Sequence, residues 1–145
     1  MMIKKRFVAA LGLFLLLSIA RANAAGVKVV VHATNAQDSV TKTKVADLFL
    51  KRVTRWENGR AVTPVDQSEK SAARATFTKD LLGKEVLWVK SYWQKMIFSG
   101  RATPPAELST DTQVLELIRT NPDAVGYVSE SATIPAGVKV LTVQD

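Results

Sequence analysis

Apolar residues occur along the chain in two patterns: short runs rich in Val, and longer segments in which they recur every three or four positions. The first pattern is typical of strands and the second of helices. We predict strands at residues 27–33, 61–65, 125–128 and 138–143, and helices at residues 41–52, 69–82, 84–98 and 111–119. Helices against a small sheet in this order predict one three-layer domain of the α/β or α+β class.

The first predicted strand, residues 27–33, is almost wholly apolar, which suits a parallel sheet covered on both faces. A polar loop with Thr34 and Asn35 follows it and leads into a helix. Open α/β sheets bind ligands at loops of this kind, so Thr34 and Asn35 are candidate ligand contacts. The alternative is a purely structural turn, since Thr and Asn are common turn formers.

Hydroxyl groups and cations gather where the second strand runs into the second helix, at Ser68, Lys70, Ser71 and Arg74. The first turn of a helix has N–H groups without internal partners and a partial positive charge, so it can hold an anion. The alternative is an ordinary helix start, with Ser68 as N-cap and with Lys70 and Arg74 as solvated surface charges. Capped helices are far commoner than anion sites.

Large and small residues elsewhere indicate how the elements pack. Trp56 is expected to fold back against the preceding helix, and Gly126 to allow close approach of a neighbouring element. The helix at residues 84–98 is apolar over a broad arc that includes Trp88 and Trp93. Such arcs usually face a core, so we predict a largely buried helix; a surface for a partner is the alternative.

The first residues have the pattern of a secretory signal peptide. A basic cluster at residues 4–6 precedes an uncharged apolar run at residues 7–20, and Ala22 and Ala24 form an A-x-A cleavage pattern. The apolar run is shorter than the roughly 20 residues that span a bilayer. We therefore expect residues 1–24 to be removed and residues 25–145 to form a single periplasmic domain. An uncleaved membrane anchor is the alternative.

Composition narrows the chemistry available to this domain. The signal carries four cations, so its removal lowers the net charge from +7 to +3, and no basic run with interleaved aromatics indicates nucleic-acid binding. The chain has no Cys and a single His, His32, at the predicted end of a strand. Zinc sites and nucleophilic triads therefore lack most of their usual residues. We expect no catalytic residues, no metal and no cofactor.

An ordered set of short segments resembles the phosphate-binding protein family of bacterial ABC transporters, in particular its short, single-lobe members. The resemblance extends from about residue 27 to residue 140. It rests on LFLK at residues 48–51, Trp56, NG at residues 58–59, PV at residues 64–65, Ser71, Phe77 and NPDAVGYV at residues 121–128. It implies an α/β fold, a type II periplasmic-binding-protein-like lobe, and a non-enzymatic role in binding phosphate or a similar oxyanion for a membrane transporter.

The resemblance also implies where the anion would lie. The family holds it with a loop after the first strand and with an Arg-Ser-x-Gly-Ser-Gly-Thr segment that opens a helix. Carried over, these fall on Thr34 and Asn35 and on residues 67–73. Because one lobe supplies only half of a cleft, a dimer or a partner protein would have to complete the site.

This chain departs from the family pattern in the second segment. Only Ser71 matches a ligand hydroxyl, Gln67 lies at or beside the arginine position, and Glu69 adds a negative charge near the anion. Like charge disfavours an anion. A second hypothesis therefore stays open: a non-catalytic interaction protein built on a binding-protein lobe that has lost small-ligand binding.

Overall fold

The computed structural model describes residues 26–145, so the predicted signal peptide lies outside the described residues. The strands are β1 (Val27–His32), β2 (Ser39–Thr41), β3 (Thr63–Gln67), β4 (Ala106–Leu108), β5 (Ala124–Ser129) and β6 (Val138–Gln144). The helices are α1 (Lys42–Phe49), α2 (Ala72–Asp80), α3 (Val86–Phe98) and α4 (Asp111–Thr120). The α/β class is confirmed, and every predicted element is present.

The strands form one mixed sheet in the order β2-β6-β1-β5-β3-β4. β1 is antiparallel to both neighbours, β5 and β6, whereas β3 is parallel to β4 and β5, and β2 is parallel to β6. The parallel environment that we inferred for β1 is therefore wrong. Its apolar run reflects its central position, because a strand covered on both faces needs apolar side chains on both, whatever its neighbours' direction.

Helices cover both faces of the sheet and give three layers. On one face, α1 and α2 pack on alternate residues of β1 (Val27, Val29 and Val31) and on Tyr127 of β5. On the other face, α4 packs against a cluster that contains Val30. The alternation of β1 side chains between the two clusters follows from the two-residue period of a strand.

Two short strands at the edges of the sheet were not predicted. β2 has three residues, of which only Val40 is buried, and β4 has three residues, none of them fully buried. A hydrophobic pattern cannot mark strands of this length. β4 is nevertheless important for the site, because it places Glu107 beside Asp66 of β3.

Trp56 and Gly126 pack as predicted. Trp56 is buried in the same cluster as Leu48 and Phe49 of α1. A Cβ atom on Gly126 would lie 2.9 Å from Cγ1 of Val114, so α4 approaches the sheet more closely than Ala would permit.

α3 is much less buried than predicted. Val89 and Trp93 are buried, but the exposed fraction is 75% for Leu87 and 92% for Phe98. The helix packs against α2, itself an outer-layer element, so only one narrow side of α3 is covered. Within residues 26–145, no helix combines the length and apolarity needed to cross a membrane.

Candidate functional site

The junction between β3 and α2 is built on a serine cap. Oγ of Ser71 accepts the N–H of Arg74 at 3.3 Å, and α2 begins at the next residue. Ser68 is therefore not the N-cap that we predicted. A turn separates the two serines: the N–H of Ser71 donates to the carbonyl of Ser68 at 2.9 Å, and Oγ of Ser68 accepts the N–H of Lys70 at 3.4 Å.

Gln67, the last residue of β3, connects this cap to the sheet. Its side-chain oxygen accepts the hydroxyl of Ser71 at 2.6 Å. Its side-chain NH₂ group donates to the carbonyl of Tyr127 and to Oδ1 of Asp111, both at 2.9 Å. The hydroxyl of Ser71 thus donates one hydrogen bond and accepts another within the protein, so both of its strongest interactions are already made.

Arg74 is buried, with an exposed fraction of 3%, and is not the solvated charge of the ordinary helix start that we described. Its Nη1 lies 3.0 Å from Oδ2 of Asp66 and donates to the carbonyl of Gln67 at 2.7 Å. Oε1 of Glu107 lies 3.4 Å from the same nitrogen. Arg74 is buried because Asp66 is buried in β3. A buried carboxylate is tolerated only when a cation is paired with it.

Asp66 and Tyr127 form the interior of this network. The Tyr127 hydroxyl donates to Oδ1 of Asp66, and the Gln67 N–H donates to the same oxygen at 2.8 Å. Burial raises the pKa of Asp66, while Arg74 and these two hydrogen bonds oppose the rise. Burial, together with the charge of Asp66, also raises the pKa of Tyr127, so its hydroxyl remains a donor.

The junction is therefore a closed polar network and not an open set of donors. Three carboxylates, Asp66, Glu107 and Asp111, contact its donor groups, and each would repel an incoming anion. The N–H groups of Ala72 and Ala73 in the first helical turn donate to no acceptor within residues 26–145. These two N–H groups are the remaining hydrogen-bond donors that an anion at this position could use.

Two predicted residues beside the cap lie on the surface. Lys70 is exposed and its side chain forms no ion pair within the described residues. Glu69, the residue expected to disfavour an anion, is also exposed and lies 3.9 Å from Lys90 of α3. The negative charge at the junction therefore comes from β3, β4 and α4 and not from Glu69.

The structure does not bring Thr34 and Asn35 together with Ser71. Because β1 is antiparallel to β5, its C-terminal end lies beside the first residues of β5 and β6, with His32 opposite Val138. Ser71 follows the last residue of β3, a strand parallel to β5, and so lies at the opposite edge of the sheet. The hydroxyl of Thr34 lies 2.8 Å from Nδ1 of His32.

Thr34 and Asn35 instead line a small cleft of about 210 Å³. Its other residues are Ala36, Trp56, Asn58, Arg60 and Pro122. A larger cleft of about 580 Å³ lies beside β1 and β6, and none of the six predicted site residues lines it. Within the described residues, no group of three metal-ligating side chains is close enough to hold a metal ion.

Sequence reasoning missed the residues that organise the β3–α2 junction: Asp66, Gln67, Glu107, Asp111 and Tyr127. One signal was available, since Asp66 and Gln67 are polar residues at the carboxyl end of a buried strand, where α/β proteins place functional groups. The partners Glu107 and Asp111 had no such signal, because their proximity depends on the unpredicted strand β4 and the loop that follows it.

No protein-family model matches the sequence, and no curated protein matches it either. Solved structures do match the fold. An ABC-type phosphate transport receptor from Vibrio cholerae aligns with a TM-score of 0.63 and 17% identity, over 81% of this chain and 46% of that chain. PstS from Borrelia burgdorferi aligns with a TM-score of 0.63 and 13% identity, over 83% of this chain and 47% of that one.

A third match is a Clostridium perfringens protein whose structure contains bound phosphate, with a TM-score of 0.63 and 17% identity over 81% of this chain and 44% of that chain. The chain thus spans less than half the length of these proteins. At such low identity the likeness shows the fold alone. The described residues have the fold of a periplasmic-binding-protein-like lobe.

Proposed function

We propose that this protein is a non-enzymatic, extracytoplasmic recognition module, built on a binding-protein lobe, that has lost the phosphate site at the start of α2. It acts on a membrane transporter or another partner protein by direct contact. One observation carries the proposal: the side chains that should hold the anion, Ser71 and Arg74, are engaged around the buried carboxylate of Asp66.

Phosphate binding at this position would require breaking these interactions. For these same atoms to bind phosphate, the Ser71 hydroxyl would have to leave Gln67, and Nη1 of Arg74 would have to leave Asp66, which is 6% exposed. Separating a buried ion pair leaves an uncompensated charge, at a cost of about 3–5 kcal/mol. A phosphate dianion would then lie next to the negative charge of Asp66. Binding would therefore be disfavoured both by the loss of the ion pair and by repulsion between like charges.

One further observation supports a role in protein recognition. α3 exposes the large apolar side chains of Leu87 and Phe98, which we interpret as part of a surface for a partner. Export through the predicted signal peptide would place this surface outside the cytoplasm.

Phosphate binding is the second candidate. The Vibrio cholerae neighbour is a phosphate transport receptor and the Clostridium perfringens structure contains phosphate. In this chain, the unpaired N–H groups of Ala72 and Ala73 at the start of α2 favour it. Backbone donors at a helix start can hold an anion without side-chain help.

Thermal unfolding of the purified protein in phosphate, compared with chloride at matched ionic strength, separates the two candidates. A ligand that binds the native state at a hundred times its Kd stabilises it by roughly 2.7 kcal/mol, which corresponds to several degrees. We expect equal midpoints in the two salts. A rise of several degrees that is specific to phosphate would establish phosphate binding, and the loss of that rise in Ser71→Ala would place the Ser71 hydroxyl in the site.

A further inference from the structure

The small cleft beside Thr34 and Asn35 is a second polar site, at the edge of the sheet opposite the start of α2. Its walls come from the loop after β1 and from the turn between α1 and β3 that contains Trp56, Asn58 and Arg60. Its volume of about 210 Å³ is sufficient for a small polar group but not for a large cofactor.

Two asparagines in this cleft are oriented by their own turns. Oδ1 of Asn35 accepts the N–H of Gln37 at 2.8 Å, and Oδ1 of Asn58 accepts the N–H of Arg60 at 3.0 Å. Because each oxygen is held by a backbone N–H, the NH₂ group of each side chain faces away from its turn. Both asparagines line the cleft, and neither NH₂ group donates to an acceptor within residues 26–145.

Trp56 adds a buried donor that has no partner. The side chain is 5% exposed and lines the cleft, and its indole N–H has no acceptor within residues 26–145. An unsatisfied buried donor costs about 1–3 kcal/mol, so native proteins rarely retain one. The indole nitrogen is itself buried, so Trp56 serves as a reporter of the cleft it lines and not as an exposed donor.

Arg60 supplies the cation. One of its nitrogens, Nη2, donates to Oδ1 of Asp123 at 2.8 Å, which leaves the other N–H groups of the guanidinium available. Asp123 is close enough to repel a dianion such as phosphate, whereas a planar, singly charged carboxylate matches the geometry of the guanidinium. The cleft thus favours a carboxylate over phosphate.

We propose that this cleft binds a carboxylate group through Arg60, Asn35 and Asn58, with the side chain of Trp56 in its wall. The carboxylate is either a small free acid or an acidic side chain of a partner protein. The site is separate from the start of α2, so it stands whether or not phosphate binds there.

Titration of the ¹⁵N-labelled protein tests this, with the indole N–H signal of Trp56 as the readout. Trp88 and Trp93 provide internal controls, and Trp56→Phe assigns the signal. We expect saturable shifts with sodium acetate at constant ionic strength, and smaller shifts with inorganic phosphate. No shift of the Trp56 signal, or a larger response to phosphate, would overturn the proposal.

Substitutions identify the cation and the source of the carboxylate. Arg60→Gln should weaken acetate binding roughly ten-fold, since a hydrogen bond to a charged group is lost. Arg101 is an exposed arginine after α3, so Arg101→Gln is the matched control. This variant should bind acetate as tightly as the wild type does. Unchanged affinity in Arg60→Gln would overturn the site.

A peptide distinguishes the two sources of the carboxylate. A blocked Gly-Asp-Gly peptide that binds ten-fold tighter than acetate, with Gly-Asn-Gly inactive, would identify an acidic side chain of a partner protein. Equal affinities of the peptide and acetate would identify a small free acid.

Discussion

At the scale of single residues, the central feature is the ion pair between Asp66 and Arg74. Both side chains are almost fully buried; the Tyr127 hydroxyl donates to Oδ1 of Asp66, and Nη1 of Arg74 donates to the carbonyl of Gln67. Such a pair adds little net stability, but the loss of one partner is costly because it leaves a buried charge. The pair therefore holds Arg74 away from any external anion.

Replacement of Arg74 with Met should lower the free energy of unfolding by about 3–5 kcal/mol, because Asp66 would remain buried without its cation. Urea unfolding measures the change. In the double variant Asp66→Asn, Arg74→Met, at least about 1 kcal/mol of this loss should be recovered. Additive losses in the two single variants would show that the pair is not coupled.

The raised pKa of Asp66 gives a second prediction. Because its pKa exceeds the ordinary value of 3.8, the folded chain retains this proton at a pH where the unfolded chain has lost it. Stability must then fall as the pH rises through this interval. We expect the free energy of unfolding of the wild type, relative to Asp66→Asn, to decrease from about pH 4 upward. A constant or growing difference would contradict the raised pKa.

At the scale of elements, the close packing of α4 on the sheet depends on Gly126. Gly126→Ala would place a Cβ atom 2.9 Å from Val114 and should cost about 1–3 kcal/mol of stability, the usual penalty of overpacking. Chemical unfolding measures this loss. Addition of Val114→Ala removes the clashing methyl group, so the double variant should lose less than the sum of the single variants. A fully additive result would exclude the steric explanation.

Elements with a long, regular pattern were predictable, and those without one were not. The apolar run of β1 and the helical spacing in α4 predicted those two elements correctly. β2 and β4 are too short to carry a pattern. The exposure of α3 was missed because periodicity identifies an apolar arc but not the element that covers it.

The same limit explains what was missed at the site. The sequence placed Ser71 near a helix start but assigned the N-cap to Ser68, because both serines have the side chain that a cap requires. The sequence pattern did not predict the contact between Arg74 and Asp66 or the separation of Thr34 from Ser71. Both arrangements depend on the direction and the order of the strands in the sheet. The local pattern of apolar and polar residues does not predict contacts between elements that are distant in sequence.

At the scale of the whole molecule, the chain is one lobe with two distinct polar edges. One edge has a closed network around Asp66, and the other has the open, donor-lined cleft with Trp56 and Arg60. The apolar side chains of Leu87 and Phe98 on α3 are exposed on the same lobe. Together with the closed network around Asp66, this exposure is the basis of our proposal that the protein recognises a partner.

The most direct test of this account is a phosphate titration followed through the backbone amide signals of Ala72 and Ala73. Within residues 26–145 neither N–H group has an acceptor, so we expect an anion at the start of α2 to contact them. The account predicts that neither signal shifts saturably with phosphate at millimolar concentration. Saturable shifts of both signals would contradict it, and would show that an anion binds at the start of α2.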